Sequence, residues 1–179
     1  MRKALYIMGI LSDADVTWMS AHGENRLVTA GTTIIHQGKP VDSIFIVLDG
    51  QFLVHTGAAE IARLLSGEVL GEISFVDSRP PSASVKAAVD SRVLAIKKDL
   101  LREKLGKDKH FASRFYLAVA TFLADRLRVT TARLSTTRGV KQEEDVDELD
   151  PAMMENIARA SVRFDHLLKR LSGSASWQQ

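Results

Sequence analysis

The residues best equipped for chemistry lie in one stretch, Val69-Leu70-Gly71-Glu72-Ile73-Ser74-Phe75-Val76-Asp77-Ser78-Arg79-Pro80-Pro81-Ser82-Ala83-Ser84-Val85. Gly71 has no Cβ, so backbone there can come close to a ligand. Glu72 can accept hydrogen bonds from a sugar hydroxyl. The N–H groups at the start of the turn from Ile73 can face an anion. Ser82 adds a hydroxyl and Ala83 a backbone donor. An acceptor for a sugar and donors for a phosphate, a few residues apart, suit a ribose phosphate.

Other chemistry finds less support. His22, His36, His55, His110 and His166 are scattered without metal-ligand spacing, so no metal site is expected. There is no nucleophile-base constellation and no Walker-type phosphate loop, and the chain is not expected to be an enzyme. The absence of cysteine excludes disulfide and thiol chemistry. A net charge of +2 gives little general attraction to nucleic acid. Arg126, Arg128, Arg133 and Arg138 read as a solvated basic face.

Elements must position this stretch. Hydrophobic residues are 45% and charged residues 26% of the 179, as in a soluble globular chain of one domain plus an extension. Ser12, with Asp15 three residues on, opens a helix that ends near His22-Gly23. The preceding apolar run, Ala4 to Leu11, reads as a helix packed on the domain rather than an export signal. From Leu27 to Ile96, short β-branched segments alternate with glycine and polar turns: 27–29, 33–35, 44–48, 51–55, 60–65, 82–88 and 92–96. That texture predicts an antiparallel sandwich or barrel, with Asp49-Gly50 as a hairpin.

Helical texture returns with Asp99 as a cap for Leu100 to Leu105 and Gly106 as the stop. A long helix follows from about Phe111 to Thr137. Tyr116, Ala120, Leu123, Leu127, Thr130 and Leu134 recur in it at alternating intervals of four and three, a heptad seam. Leu123, Leu127 and Leu134 are the expected homodimer contacts. An acidic linker comes next, then Asp150-Pro151 starts a helix with a second stripe through Met154, Ile157, Ser161, Phe164, Leu168 and Leu171. The expected map is 1–110 for the barrel domain, 111–138 for the dimerisation helix, 139–150 for the linker, and 151–179 for the terminal helix and tail. No apolar run approaches the ~20 residues needed to span a bilayer, and a cytoplasmic protein is expected.

The Gly71 to Val85 stretch resembles the phosphate-binding cassette of cyclic-nucleotide-binding domains. These domains are the sensor modules of catabolite-activator-like regulators, kinase regulatory subunits and gated channels. Ala30 to Gly38 and Ser43 to Gly50 carry the family's glycine and apolar spacing before the cassette, and Asp90 to Ile96 looks like the strand after it. The resemblance implies an α+β fold, a jelly-roll-like antiparallel β-barrel flanked by helices with a long C-terminal dimerisation helix. It implies a cyclic nucleotide, cAMP or cGMP, as ligand, held by Gly71, Glu72, Ile73, Ser82 and Ala83, with no further cofactor.

One departure matters. The family's active cassettes carry an arginine, just before a Ser-Ala or Ala-Ala pair, that clamps the cyclic phosphate, and Pro81 stands there. Proline offers neither the bidentate charge-assisted contact nor a backbone donor. Arg79 either folds back as a substitute or is an exposed turn residue. Thr130 and Thr131 resemble the adjacent hydroxyl residues that bond the adenine in catabolite activators; the alternative is that Thr130 bonds a helical carbonyl or its symmetry mate. Two functions follow. One is a non-catalytic cyclic-nucleotide sensor acting through a helix-mediated dimer. The other is an interaction or scaffold module of the same fold that no longer binds nucleotide. The terminal helix offers a surface for a protein partner. Specific DNA binding is not expected, because one helix after an acidic linker makes no helix-turn-helix.

Overall fold

The computed structural model describes residues 5–137 and 151–173. Along the chain come α1 (Leu5–Ile10), α2 (Asp13–His22), β1 (Glu24–Val28), β2 (Thr33–Ile35), β3 (Ser43–Asp49), β4 (Gln51–Thr56), β5 (Ala59–Leu65), β6 (Val69–Leu70), α3 (Ile73–Val76), β7 (Ser84–Ala87), β8 (Ser91–Lys97), α4 (Lys98–Lys107), α5 (Lys109–Thr137) and α6 (Pro151–Gly173).

The strands form two four-stranded antiparallel sheets, in the orders β1-β8-β3-β6 and β2-β7-β4-β5. Side chains alternate across a strand, and β3 and β8 use both faces. Ile44, Ile46 and Leu48, with Leu94 and Ile96, join a core shared with the helices. Phe45, Val47, Val93 and Ala95 point the other way and meet Phe52, Leu64, Val85 and Ala87 of the second sheet. A strand covered on both sides must be apolar throughout, which is why β3 reads as an unbroken hydrophobic run. The second sheet covers one face only, and its residues alternate: Val85 and Ala87 are buried while Lys86 is exposed. This is the expected α+β jelly-roll-like arrangement.

The helices gather against the first sheet. Ser12 caps α2, its Oγ accepting from Asp15 N–H at 3.2 Å while Asp15 Oδ2 accepts from Ser12 N–H at 2.7 Å. The same buried Asp15 takes two hydrogen bonds from Arg114 of α5, at 2.6 and 2.9 Å. Phe111, Phe115, Ala118, Val119 and Phe122 make the buried stripe of α5. The expected seam is a different face. Leu123 is half-buried against the core, whereas Tyr116, Ala120, Leu127 and Thr130 are exposed.

On α6 the buried residues are Ala160, Leu167 and Leu171, packed among the chain's own helices, with Phe164 and Leu168 partly covered. Arg163 locks α6 down: Nε donates to Asp13 Oδ1 at 2.6 Å, and Nη1 donates to the Met8 and Gly9 carbonyls at the end of α1.

Two local expectations are corrected. Asp99 does not cap α4; the helix begins at Lys98, two residues before the expected Leu100, where Lys98 N–H donates to Asp42 O. Asp99 sits in its first turn and accepts from Arg102 at 3.1 Å. Gly106 lies inside α4, which continues to Lys107. The side chains of Leu134, Met154 and Ile157, the 139–150 linker and the tail beyond 173 lie outside the described residues.

Candidate functional site

The cassette is built from β6, the short α3 and the loop leading into β7. Gly71 is required here by the fold itself. Its φ is +82°, in the left-handed region, and a Cβ would lie 2.9 Å from the Ser43 carbonyl of β3. The chain therefore turns sharply off β6 and delivers Glu72 inward at the start of α3. Phe75 of α3 packs edge-on against Phe115 of α5 at 5.8 Å between ring centres, so the cassette rests on the long helix.

Between these elements lies a cleft with about 450 Å³ of empty space, part of it open to solvent. Its floor is apolar, from Ile35, Val54, Leu64, Leu70 and Val85. Its polar wall brings together Gly71, Glu72, Ile73, Ser82 and Ala83, five residues expected from the sequence, beside Pro81. An apolar floor with a few converging polar groups is the usual form of a small-molecule site.

Two residues not anticipated complete the wall, Ser74 and Arg126. Arg126 reaches in from α5 and donates to Glu72 Oε1 at 2.6 Å. Its guanidinium lies over the Phe122 ring at 4.5 Å, and a weaker contact reaches Val69 O at 3.4 Å. The solvated basic face expected for this helix thus loses one member. A partner 54 positions away leaves no local signal.

Glu72 is 2% exposed. Burial pushes its carboxyl above the ordinary carboxylate range; Arg126, the N–H groups of Glu72 and Ile73, and Lys98 pull it back only in part. The carboxylate keeps acceptor capacity beyond the Arg126 bond. The cleft therefore presents one buried acceptor, one guanidinium, one hydroxyl and backbone beside an apolar floor.

Three expected residues are placed elsewhere. Arg79 does not fold back beside Pro81. It lines a different cleft, beside α3, because its N–H is held by Asp77 Oδ1 at 3.0 Å in a turn that carries it away. Thr130 is exposed, and its Oγ1 donates to Arg126 O at 2.9 Å, the ordinary helical solution. Thr131 is likewise exposed, and neither threonine lines the cleft.

Two packed antiparallel sheets, with a short cassette helix and a long helix closing a cleft at one end, define a ligand-binding β-domain of a recognisable class. Residues 25–108 match the family described as Cyclic nucleotide-binding domain. An NTE family protein of Mycobacterium tuberculosis is 29% identical over 143 residues, covering 78% of this chain and 24% of that protein. A cGMP-dependent protein kinase of Caenorhabditis briggsae is 25% identical over 121 residues, 66% of this chain and 16% of the kinase. The chain thus spans a quarter or less of these relatives. A cyclic nucleotide-binding domain from Methylobacillus flagellatus shares the fold, with a TM-score of 0.67 at 19% identity over 80% of this chain and 85% of that one. Among the described residues, no helix is long and apolar enough to cross a membrane.

Proposed function

We propose that the chain is a non-catalytic sensor of a cyclic nucleotide, cAMP or cGMP, working in the cytoplasm as a homodimer without specific DNA binding. The observation that carries this reading is the pairing of buried Glu72 with Arg126 on the wall of a cleft that also holds Ser82 and Ala83. The ribose hydroxyl donates to Glu72. The cyclic phosphate accepts from Ser82 Oγ and Ala83 N–H. Arg126, the only cationic side chain described on this wall, supplies positive charge that Pro81 does not. Because Arg126 belongs to α5 and Phe75 rests on the same helix, ligand binding bears on the position of the long helix. The map of 1–110, 111–138, 139–150 and 151–179 is retained as part of this reading, with the terminal helix docked on α1 and α2 as well as available to a protein partner.

The rival reading is an interaction module of the same fold that binds no nucleotide. It is favoured by Pro81, which stands where the family's active cassettes carry a clamping arginine. Calorimetric titration with cAMP and cGMP separates the two. Sensor function predicts saturable binding, weakened by Glu72→Ala. Pro81→Arg should tighten it by up to about a hundredfold, the equivalent of one charge-assisted contact of ~3 kcal/mol. If neither the wild type nor Pro81→Arg binds a cyclic nucleotide, the interaction module stands instead.

A further inference from the structure

Beside α3, sharing Ser74 with the first cleft, lies a second opening with about 590 Å³ of empty space, partly open to solvent. Arg79, Lys98 and Arg102 line it, with Ser74 and Ser78. Its two carboxylates are already engaged: Asp42 accepts from Lys97 Nζ at 2.9 Å, and Asp99, almost wholly exposed, accepts from Arg102. The Arg79 guanidinium has no hydrogen-bond or ion-pair partner among the described residues.

Lys98 is the unusual member. It is 5% exposed, yet among the described residues it has no ion-pair partner. Its one side-chain hydrogen bond runs from Nζ to Ser74 Oγ, at 2.9 Å. An ammonium has three donors, so two remain unused. A buried charge without a counter-charge is costly. Burial pushes the ammonium below its ordinary range, and Arg102 pushes it further, against weaker pulls from Asp42, Asp77 and Glu72. The N-terminus of α4 opens beside it, with no side-chain cap, and adds positive potential.

The atoms of a serine-lysine dyad are present, but the geometry speaks against nucleophilic chemistry. Ser74 is 7% exposed, and its hydroxyl donates to Gly71 O at 3.2 Å. Lys98 meets it as a donor.

We propose that this opening is a second anion site, taking a phosphate group, free or carried by a small phosphomonoester, with Lys98, Arg79 and Arg102 as its donors. The anion supplies the counter-charge that Lys98 lacks. Ser74 lines both openings, so the two sites share one wall. This inference does not depend on nucleotide binding in the first cleft.

The test uses the full chain labelled with ¹⁵N, titrated with inorganic phosphate and, separately, with glycerol 3-phosphate, at ionic strength held constant with sodium chloride. The expected result is saturable shifts of the Ser74, Ser78, Arg79 and Asp99 amides. Tighter binding of glycerol 3-phosphate would identify an ester ligand; equal or weaker binding would identify free phosphate. Lys98→Met, Arg79→Gln and Arg102→Gln should each weaken binding by about tenfold or more. Should Lys98→Met fail to fold, the two arginine variants carry the test. Shifts centred on Ser82 and Ala83, absence of saturation, or unchanged affinity in both arginine variants would overturn the proposal.

Discussion

Glu72 sits where water hardly reaches, and that position governs how it titrates. Its folded carboxyl holds a proton to higher pH than the unfolded chain does, since burial raises it from the ordinary value of 4.5. Between those two values the native state binds more protons, so stability falls as pH rises. The contribution of Glu72 is complete below the ordinary value and is lost through the raised folded one. Urea unfolding from about pH 4 to about pH 8 should show the wild type losing stability relative to Glu72→Gln as pH rises. Arg126→Met removes the largest opposing pull on Glu72, so it should move that window upward. Parallel pH profiles for all three proteins would contradict this account. Glu72 itself is legible from the sequence through its position, after a set of strands and before Pro81-Ser82-Ala83-Ser84, since a Gly-Glu pair alone is common. Arg126 was not, since neither periodicity nor composition marks which arginine of a basic helix turns inward.

Elements are held in place by a small number of charged fasteners between helices distant in sequence. Arg114 of α5 grips Asp15 of α2 with two hydrogen bonds, and Asp15 is 3% exposed. Burial pushes the Asp15 carboxyl up, but the hydrogen bonds from Arg114 and Ser12 outweigh it and leave it below the ordinary 3.8. Its stabilising effect is therefore present above that value and is lost as pH falls through the folded one. Arg114→Met strands a buried carboxylate and should cost about 3 kcal/mol in urea unfolding near neutral pH, the low end for half of a buried pair because Arg114 is partly in water. Loss within error of zero would mean that water replaces Arg114 fully. Most strands are readable because their apolar runs alternate with turn residues, but the first, expected at 27–29, runs Glu24–Val28, since its polar start carries no apolar period. β6 escaped because its two residues are too few to show a period. The α4 boundary was misplaced because Asp42, a backbone acceptor from another loop, does what a local cap was expected to do. The buried stripe of α5, through Phe111, Phe115, Ala118, Val119 and Phe122, is not legible beside the heptad seam, because both are apolar on one helix and only the sheet decides which one faces inward.

At the scale of the whole molecule, that second apolar face of α5 remains. Leu127 is 67% exposed and Tyr116 50%, with Leu117 beside them at 58%, while Leu123 is half-covered at the edge of the core. The helices that could have covered this face are engaged elsewhere: α6 spends Ala160, Leu167 and Leu171 on the core shared with α1 and α2. A heptad spacing on an exposed helix suits a second copy of the same helix. A homodimer through α5 is therefore expected at micromolar concentration. Leu127→Glu removes a side chain whose burial is worth about 1.5–3 kcal/mol and places a charge in the seam, and the seam of a symmetric dimer meets the change twice. Dimer affinity should fall by roughly a hundredfold or more. Leu27→Glu, on the 81% exposed Leu27 of β1, removes at least as much exposed apolar surface from a strand rather than from α5 and should leave the dimer intact. Sedimentation velocity on the three proteins decides the matter: a monomeric wild type, or equal weakening by Leu127→Glu and Leu27→Glu, would place the contact somewhere other than this helix.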